Sequence, residues 1–279
     1  MRRRCSFFLT ALLFVAAILS FPEPYALLKL AAWIALAICA GRYAPSRLVF
    51  GSLAGLGILE ALLGFFQFVS HKSLGFSFLG EPVLDPLNGA IARIFLDGGR
   101  LMRAYGTFPH PNILAAFLVL SLVAWAYHFL VRRRVIVSAF GIFTVLLGLL
   151  LTFSRSGWIA ASIAMLLVLL DARRREPFRA KELFLILAVS CVFLIPIFSR
   201  GIAPRLLVGP GDYAVTERIA GYQAALLRIR NAPVFGSGLT LRMAPDPVHS
   251  LYLTIAEQIG LVGLAAFLLF VLSALRRGF

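Results

Sequence analysis

Apolar residues run along this chain in long stretches, interrupted by clusters of arginine at some boundaries and by Pro, Gly and Ser at others. Eight runs stand out, at roughly 6–21, 25–41, 48–69, 112–131, 134–152, 157–170, 183–199 and 251–273. Each reads as a membrane-crossing helix, although several fall short of the ~20 residues that a perpendicular span needs. The pattern predicts an all-α fold: a polytopic transmembrane helix bundle of about eight spans, forming one integral membrane domain over 1–279.

The longest polar interruption is 200–250, just before the last run. Inside it, Val215, Ile219, Tyr222, Leu226 and Ile229 recur at steps of three or four, which predicts a short amphipathic helix over 214–230. Asp212 or Thr216 is positioned to cap its start, and Asn231-Ala232-Pro233 ends it. Such a helix, lying along a membrane surface, would bury its stripe and leave Arg218 facing a headgroup-level cavity.

Composition supports a membrane protein. Hydrophobic residues make up 61% and charged residues 14%, where a soluble domain is nearer half and a quarter. The net charge of +15 would suggest nucleic acid in a soluble protein. Here the charge sits beside apolar runs, in Arg2-Arg3-Arg4, Arg42 with Arg47, Arg132-Arg133-Arg134, Arg173-Arg174-Arg175 with Arg179 and Lys181, and Arg276-Arg277. Threading the spans alternately puts all these clusters on one side, which marks that side and both termini as cytoplasmic. No nucleic-acid partner is expected. Pro22-Glu23-Pro24 follows the first run without a small-residue cleavage site, so an uncleaved span is expected there.

The opposite, outer face then carries a Gly-, Pro- and Phe-rich loop at about 70–111, a tight turn at 153–156 and the loop at 200–250. Cys5, Cys39 and Cys191 read as buried thiols. Gly236-Ser237-Gly238 lacks the lysine and spacing of a phosphate-binding loop. The outer carboxylates have no close spacing, so no metal site and no cofactor are expected.

Candidate chemistry gathers at the outer edge. Arg155, in Ser154-Arg155-Ser156-Gly157, opposes the charge trend. It is either an arginine snorkelling to headgroups or an anion clamp, its planar fork suiting phosphate oxygens. His249 stands at the outer edge of the last span, and a neutral imidazole there is either an anchor or an acceptor for a hydroxyl proton. His110, held between Pro109 and Pro111, and Asn112 stand at the edge of another span. Arg242 is a lesser candidate by its closeness to His249. Glu257, eight residues beyond His249, is an intramembrane carboxylate that should have a partner, such as an arginine to orient.

Four blocks in order resemble the O-antigen ligase and polymerase superfamily of bacterial envelope glycosyltransferases. They are Gly106-Thr107-Phe108-Pro109-His110-Pro111-Asn112 with Ala115; Leu151-Thr152-Phe153-Ser154-Arg155-Ser156-Gly157-Trp158; Glu217-Arg218 with Ala232-Pro233-Val234-Phe235-Gly236-Ser237-Gly238-Leu239; and His249-Ser250-Leu251-Tyr252-Leu253 through Glu257 to Gly260-Leu261-Val262-Gly263-Leu264.

The resemblance implies packed transmembrane helices with a large periplasmic loop near the C-terminus, in the bacterial inner membrane. It implies transfer of a glycan from an undecaprenyl-diphosphate carrier to a hydroxyl of a glycolipid or glycan acceptor, without metal or nucleotide. Arg155 and Arg218 would engage the diphosphate, and His249 would be the base. Two departures are visible. Ser250 stands where the family usually has asparagine, and members generally have more spans before the first block and after the last. A polymerase of carrier-linked repeats shares these features. A lipid-carrier or solute transporter would instead place charges at the midplane of several spans, and an inactive, shortened relative would serve as an assembly subunit.

Overall fold

A computed structural model of the protein describes residues 46–85, 91–96, 99–132, 134–206, 213–237 and 250–278. The first two apolar runs lie outside these residues. The other six are helical: α1 (Ser46–Ser70), α2 (Pro111–Arg132), α3 (Val135–Leu151), α4 (Arg155–Arg175), α5 (Pro177–Leu206) and α7 (Leu251–Gly278). The predicted amphipathic helix is α6 (Tyr213–Asn231). Four of the helices, α1, α2, α4 and α7, are long and apolar enough to cross a membrane. The protein is an all-α membrane helix protein.

Residues 46–206 form one compact unit and residues 213–278 belong to another. In the first, α2 is the central helix. It carries the fully buried Leu114, Leu118, Leu122 and Phe129, and packs against α1, α3 and α4. Pairings along its length fix direction. Phe50 stacks on Tyr127, and the Trp125 indole N–H donates to the Ala54 carbonyl at 3.0 Å. Nearer the other end, Gly64 abuts Leu114. Helix α2 therefore runs antiparallel to α1. The α2–α3, α3–α4 and α4–α5 connections are only a few residues long, so neighbours alternate in direction. One end of the unit collects Arg47, Arg132, Arg134 and Arg173–Arg175, and the other collects the motif blocks.

Lipid tails are as apolar as leucine, so helices in a membrane associate through close packing rather than through the hydrophobic effect. Small residues permit that approach. A methyl group added at Gly148 of α3 would lie 2.6 Å from Ala61 Cβ of α1, and one at Gly157 of α4 would lie 2.7 Å from Ala115 Cβ of α2.

The connection between α1 and α2 carries some regular structure of its own. It holds a short 3₁₀ turn at Ser77–Leu79 and an antiparallel hairpin, β1 (Arg93–Leu96) with β2 (Gly99–Met102), in which Arg93 pairs with Met102 and Leu96 with Gly99. Leu84, Ile91, Met102 and Tyr105 make a small apolar cluster beneath it. Two helices also exceed their apolar runs. Helix α4 extends the run at 157–170 and α5 extends the run at 183–199, because arginine and lysine continue a helix well once past the lipid boundary.

Candidate functional site

At the motif end of the first unit, two side chains of α1 hold the Gly106-Thr107 block. Glu60 accepts from the Thr107 amide at 2.8 Å and from its hydroxyl at 2.6 Å. The fully buried Gln67 accepts from the Gly106 amide at 2.8 Å and donates to the Gly106 carbonyl at 2.9 Å. The same amide group donates to Glu81 at 2.9 Å, whose carboxylate also accepts from the amides of Leu74 and Phe76 at 2.7 and 2.6 Å. Burial alone would push the Glu81 pKa up. The amide donors of Leu74, Gln67, Phe76 and Gly75 outweigh it and hold the carboxyl below its ordinary value.

The buried Arg103 joins the first two motif blocks. Its Nε donates to the Thr152 carbonyl at 2.6 Å and its Nη2 donates to Asn112 Oδ1 at 2.8 Å. The neighbouring Ala104 amide donates to the Leu151 carbonyl at 3.0 Å. Tyr105 closes the strand behind it, its hydroxyl accepting from the Ala92 amide at 2.7 Å. Burial raises the Tyr105 pKa against that hydrogen bond and the charges of Arg103 and Arg93, so the phenol stays protonated.

The turn held by Arg103 is strained. Phe153 is buried at φ 46°, a left-handed conformation that costs an ordinary side chain free energy. It packs against Phe68 and Trp158, with ring centroids 6.1 and 6.4 Å away. Thr152 donates its hydroxyl to the Leu149 carbonyl at 2.6 Å, and Ser154 caps α4 by accepting from the Gly157 amide at 3.3 Å. Ser154 and Ser156 lie hydroxyl to hydroxyl at 3.2 Å. Ser154 and Ser156, which flank Arg155, are therefore engaged at least in part at the start of the helix. Arg155 is the first residue of α4 and half-buried. A guanidinium at a helix N-terminus joins two sources of positive potential and favours an anion.

His110 is built into the start of α2. Its Nδ1 accepts from the Asn112 amide at 3.1 Å, which leaves the proton of a neutral ring on Nε2. In that state His110 has no free lone pair for a hydroxyl proton and acts as a cap. Asn112 is tied to Arg103. Asn112 thus reaches the Arg155 turn through Arg103, and His110 supports Asn112.

In the second unit, the last two blocks meet. Glu257 does orient an arginine: Arg228 Nε donates to its Oε1 at 2.7 Å and Nη2 to its Oε2 at 3.3 Å, fork against fork. The 232–237 turn docks on α7 through backbone. Ser237 donates its amide and hydroxyl to the Glu257 carbonyl at 2.8 and 3.1 Å, and the Leu261 amide donates to the Pro233 carbonyl at 2.8 Å. Helix α7 is broken at Gly260, where φ is 76°, and Gly236 faces the break at φ 70°. A methyl group on Gly236 would come within 2.5 Å of the Gln258 carbonyl carbon. On α6, Gly221 and Ala225 are the buried face, while Ile219 and Leu226 of the apolar stripe stay exposed.

Ser250 is the N-cap of α7, its hydroxyl accepting from the Leu253 amide at 3.4 Å. Serine and asparagine rank together as N-caps, so Ser250 keeps the helix-starting function that an asparagine would have there. His249 and Arg242 lie outside the described residues. Arg218 lies in α6, its side chain outside them. Sequence reasoning missed Arg103, Glu60, Gln67, Glu81 and Arg228. The available signal was two arginines and two carboxylates set away from the basic clusters.

These features define the class: a helical membrane protein in which two pairs of motif blocks are each locked together by a buried or half-buried arginine. Residues 140–268 match the family model described as O-antigen ligase. Three of the four blocks lie in that segment, and the match supports a function of the O-antigen ligase and polymerase type in general. No curated protein matches the chain, and no solved structure matches it.

Proposed function

We propose that the protein transfers a glycan from an undecaprenyl-diphosphate carrier to a sugar hydroxyl of a glycolipid such as lipid A-core, on the periplasmic face of a bacterial inner membrane. The observation that carries this reading is the Thr152-Phe153-Ser154-Arg155 turn. A strained backbone, held by Arg103, sets a cation on the N-terminus of α4 at the end of the unit opposite the basic clusters. Strain of this kind concentrates at functional sites.

In the reaction, the acceptor oxygen attacks the anomeric carbon in line as the bond to the diphosphate oxygen breaks, with inversion. His249 takes the hydroxyl proton, and the electron pair leaves on undecaprenyl diphosphate. Arg155 and Arg218 stabilise the charge that develops there, a preorganised electrostatic role. The test is the reconstituted protein with a carrier-linked glycan and candidate acceptors. Release of undecaprenyl diphosphate with a matched acceptor product supports transfer, and lengthening of the carrier-linked chain in its place identifies a polymerase. Arg155→Ala and His249→Ala should each abolish transfer while the protein still accumulates. Full activity in either variant removes that residue from the mechanism.

A further inference from the structure

We propose that the basic end of the first unit holds an anionic phospholipid, its acyl chain lying in an apolar groove between α3 and α5. The groove has a volume of about 400 Å³, within the roughly 300–1,000 Å³ range of ligand sites. Phe140 and Phe143 of α3 and Leu185, Ile186 and Val189 of α5 line it. Ser190 also lines it, but its hydroxyl is spent on the Ile186 carbonyl at 2.8 Å, so the slot presents no free hydrogen-bonding demand there.

Placement and charge select the occupant. Phe140 follows Arg134 by six residues, and Leu185 and Val189 follow Lys181 by four and eight, on one helix face. The slot therefore begins about 6–9 Å below the two cations, at the helical rise per residue, as an acyl chain lies below its headgroup. Arg134 and Lys181 are exposed and form no ion pair among the described residues. The nearby acids do not neutralise them: Asp171 pairs with Arg175 at 2.9 Å and Glu182 approaches Arg179 at 3.7 Å, leaving Glu176 against Arg132, Arg134, Arg173, Arg174 and Lys181. Arg179 is turned inward, its guanidinium 5.5 Å from the Phe129 ring. A cationic rim over an apolar slot fits a phosphate headgroup with its chain.

The test is native mass spectrometry of the full chain, purified in neutral detergent, stripped of lipid and offered phosphatidylglycerol, phosphatidylcholine or undecaprenyl phosphate. Phosphatidylglycerol should be retained over phosphatidylcholine. R134Q/K181Q should cut that preference by roughly thirtyfold, the effect of two cations near an anionic headgroup. Val189→Trp, which fills the slot, should lower retention of both phospholipids with the rim intact. Equal retention of the two by the unaltered protein, or an unchanged preference in R134Q/K181Q, overturns the site. So does stronger retention of undecaprenyl phosphate, which would make the slot one for the isoprenoid carrier. Glycan transfer is not read in this experiment, so its outcome is independent of the proposed function.

Discussion

At the scale of single residues, Arg103 organises the motif end by joining the first two blocks. Its two donors satisfy the buried Thr152 carbonyl and the half-buried Asn112 carboxamide, and an unmet buried polar group costs about 1–3 kcal/mol. Arg103→Ala should therefore destabilise the protein by about 2–4 kcal/mol and slacken the Phe153 turn. Arg103→Lys keeps the charge but cannot bridge both partners, so it should keep more stability than the alanine variant while still losing donor affinity. Thermal unfolding in detergent and the donor KM of each variant measure the two effects. Glu81 gives a pH signature. Its folded-state pKa lies below the ordinary 4.5, so its stabilisation is complete above that value and is lost as pH falls through the folded pKa. The unfolding temperature of Glu81→Gln should converge on that of the unaltered protein in acid and fall below it near neutrality. A constant gap between the two curves would refute the linkage.

At the scale of elements, the helices were legible because apolar runs end where Arg, Pro or Ser begins. Pro111 fits the first turn of α2 without losing a hydrogen bond, and Ser154 caps α4. The amphipathic helix was legible from its period, and α6 begins within a residue of the expected place. The face it packs on within the protein was not, since Gly221 and Ala225 carry almost no hydrophobic signal. The hairpin at 93–102 was hidden for a different reason. Its strands, Arg93–Leu96 and Gly99–Met102, show no clear period-two alternation, and they are held by backbone pairing and by the bonds of Ala92 with Arg103 and Tyr105 beside them. The break at Gly260 was also unreadable, because glycine in an apolar run is ordinary. A side chain there would collide with Val234 and Phe235 and would have to hold φ 76°. Gly260→Ala should cost about 2–4 kcal/mol from overpacking and backbone strain together, and should separate the 232–237 turn from α7. Hydrogen exchange at the Ser237 and Leu261 amides would register that release, and unchanged protection would count against the docking.

For the whole molecule, the charge pattern makes a topological statement. Basic residues gather at one end of the first unit and the Arg155 turn at the other, so the two ends should face opposite aqueous phases. With Cys5, Cys39 and Cys191 replaced, Ser156→Cys should react with a membrane-impermeant thiol reagent on intact cells whose outer membrane is made permeable. Arg174→Cys should react only after the inner membrane is lysed. The reverse order would invert the proposed orientation, and with it the face on which the chemistry occurs. Here sequence reading reached furthest. The family resemblance came from four short blocks, and the structure explains why they are blocks, since each pair interlocks within its own unit. What the blocks could not reveal is that their meeting points are made by Arg103 and Arg228, whose roles depend on distant partners.

The break in α7 bears on how the nascent chain enters its membrane. A continuous apolar helix partitions into lipid with every backbone group already bonded. Here, among the described residues, the Glu257 carbonyl and the Leu261 amide bond to the segment from Pro233 to Ser237 across the break. Alone in hydrocarbon, those groups would be orphaned at a cost of several kcal/mol. Insertion of the final helix is therefore coupled to the arrival of the preceding turn, and biogenesis must handle the two as one package rather than in succession.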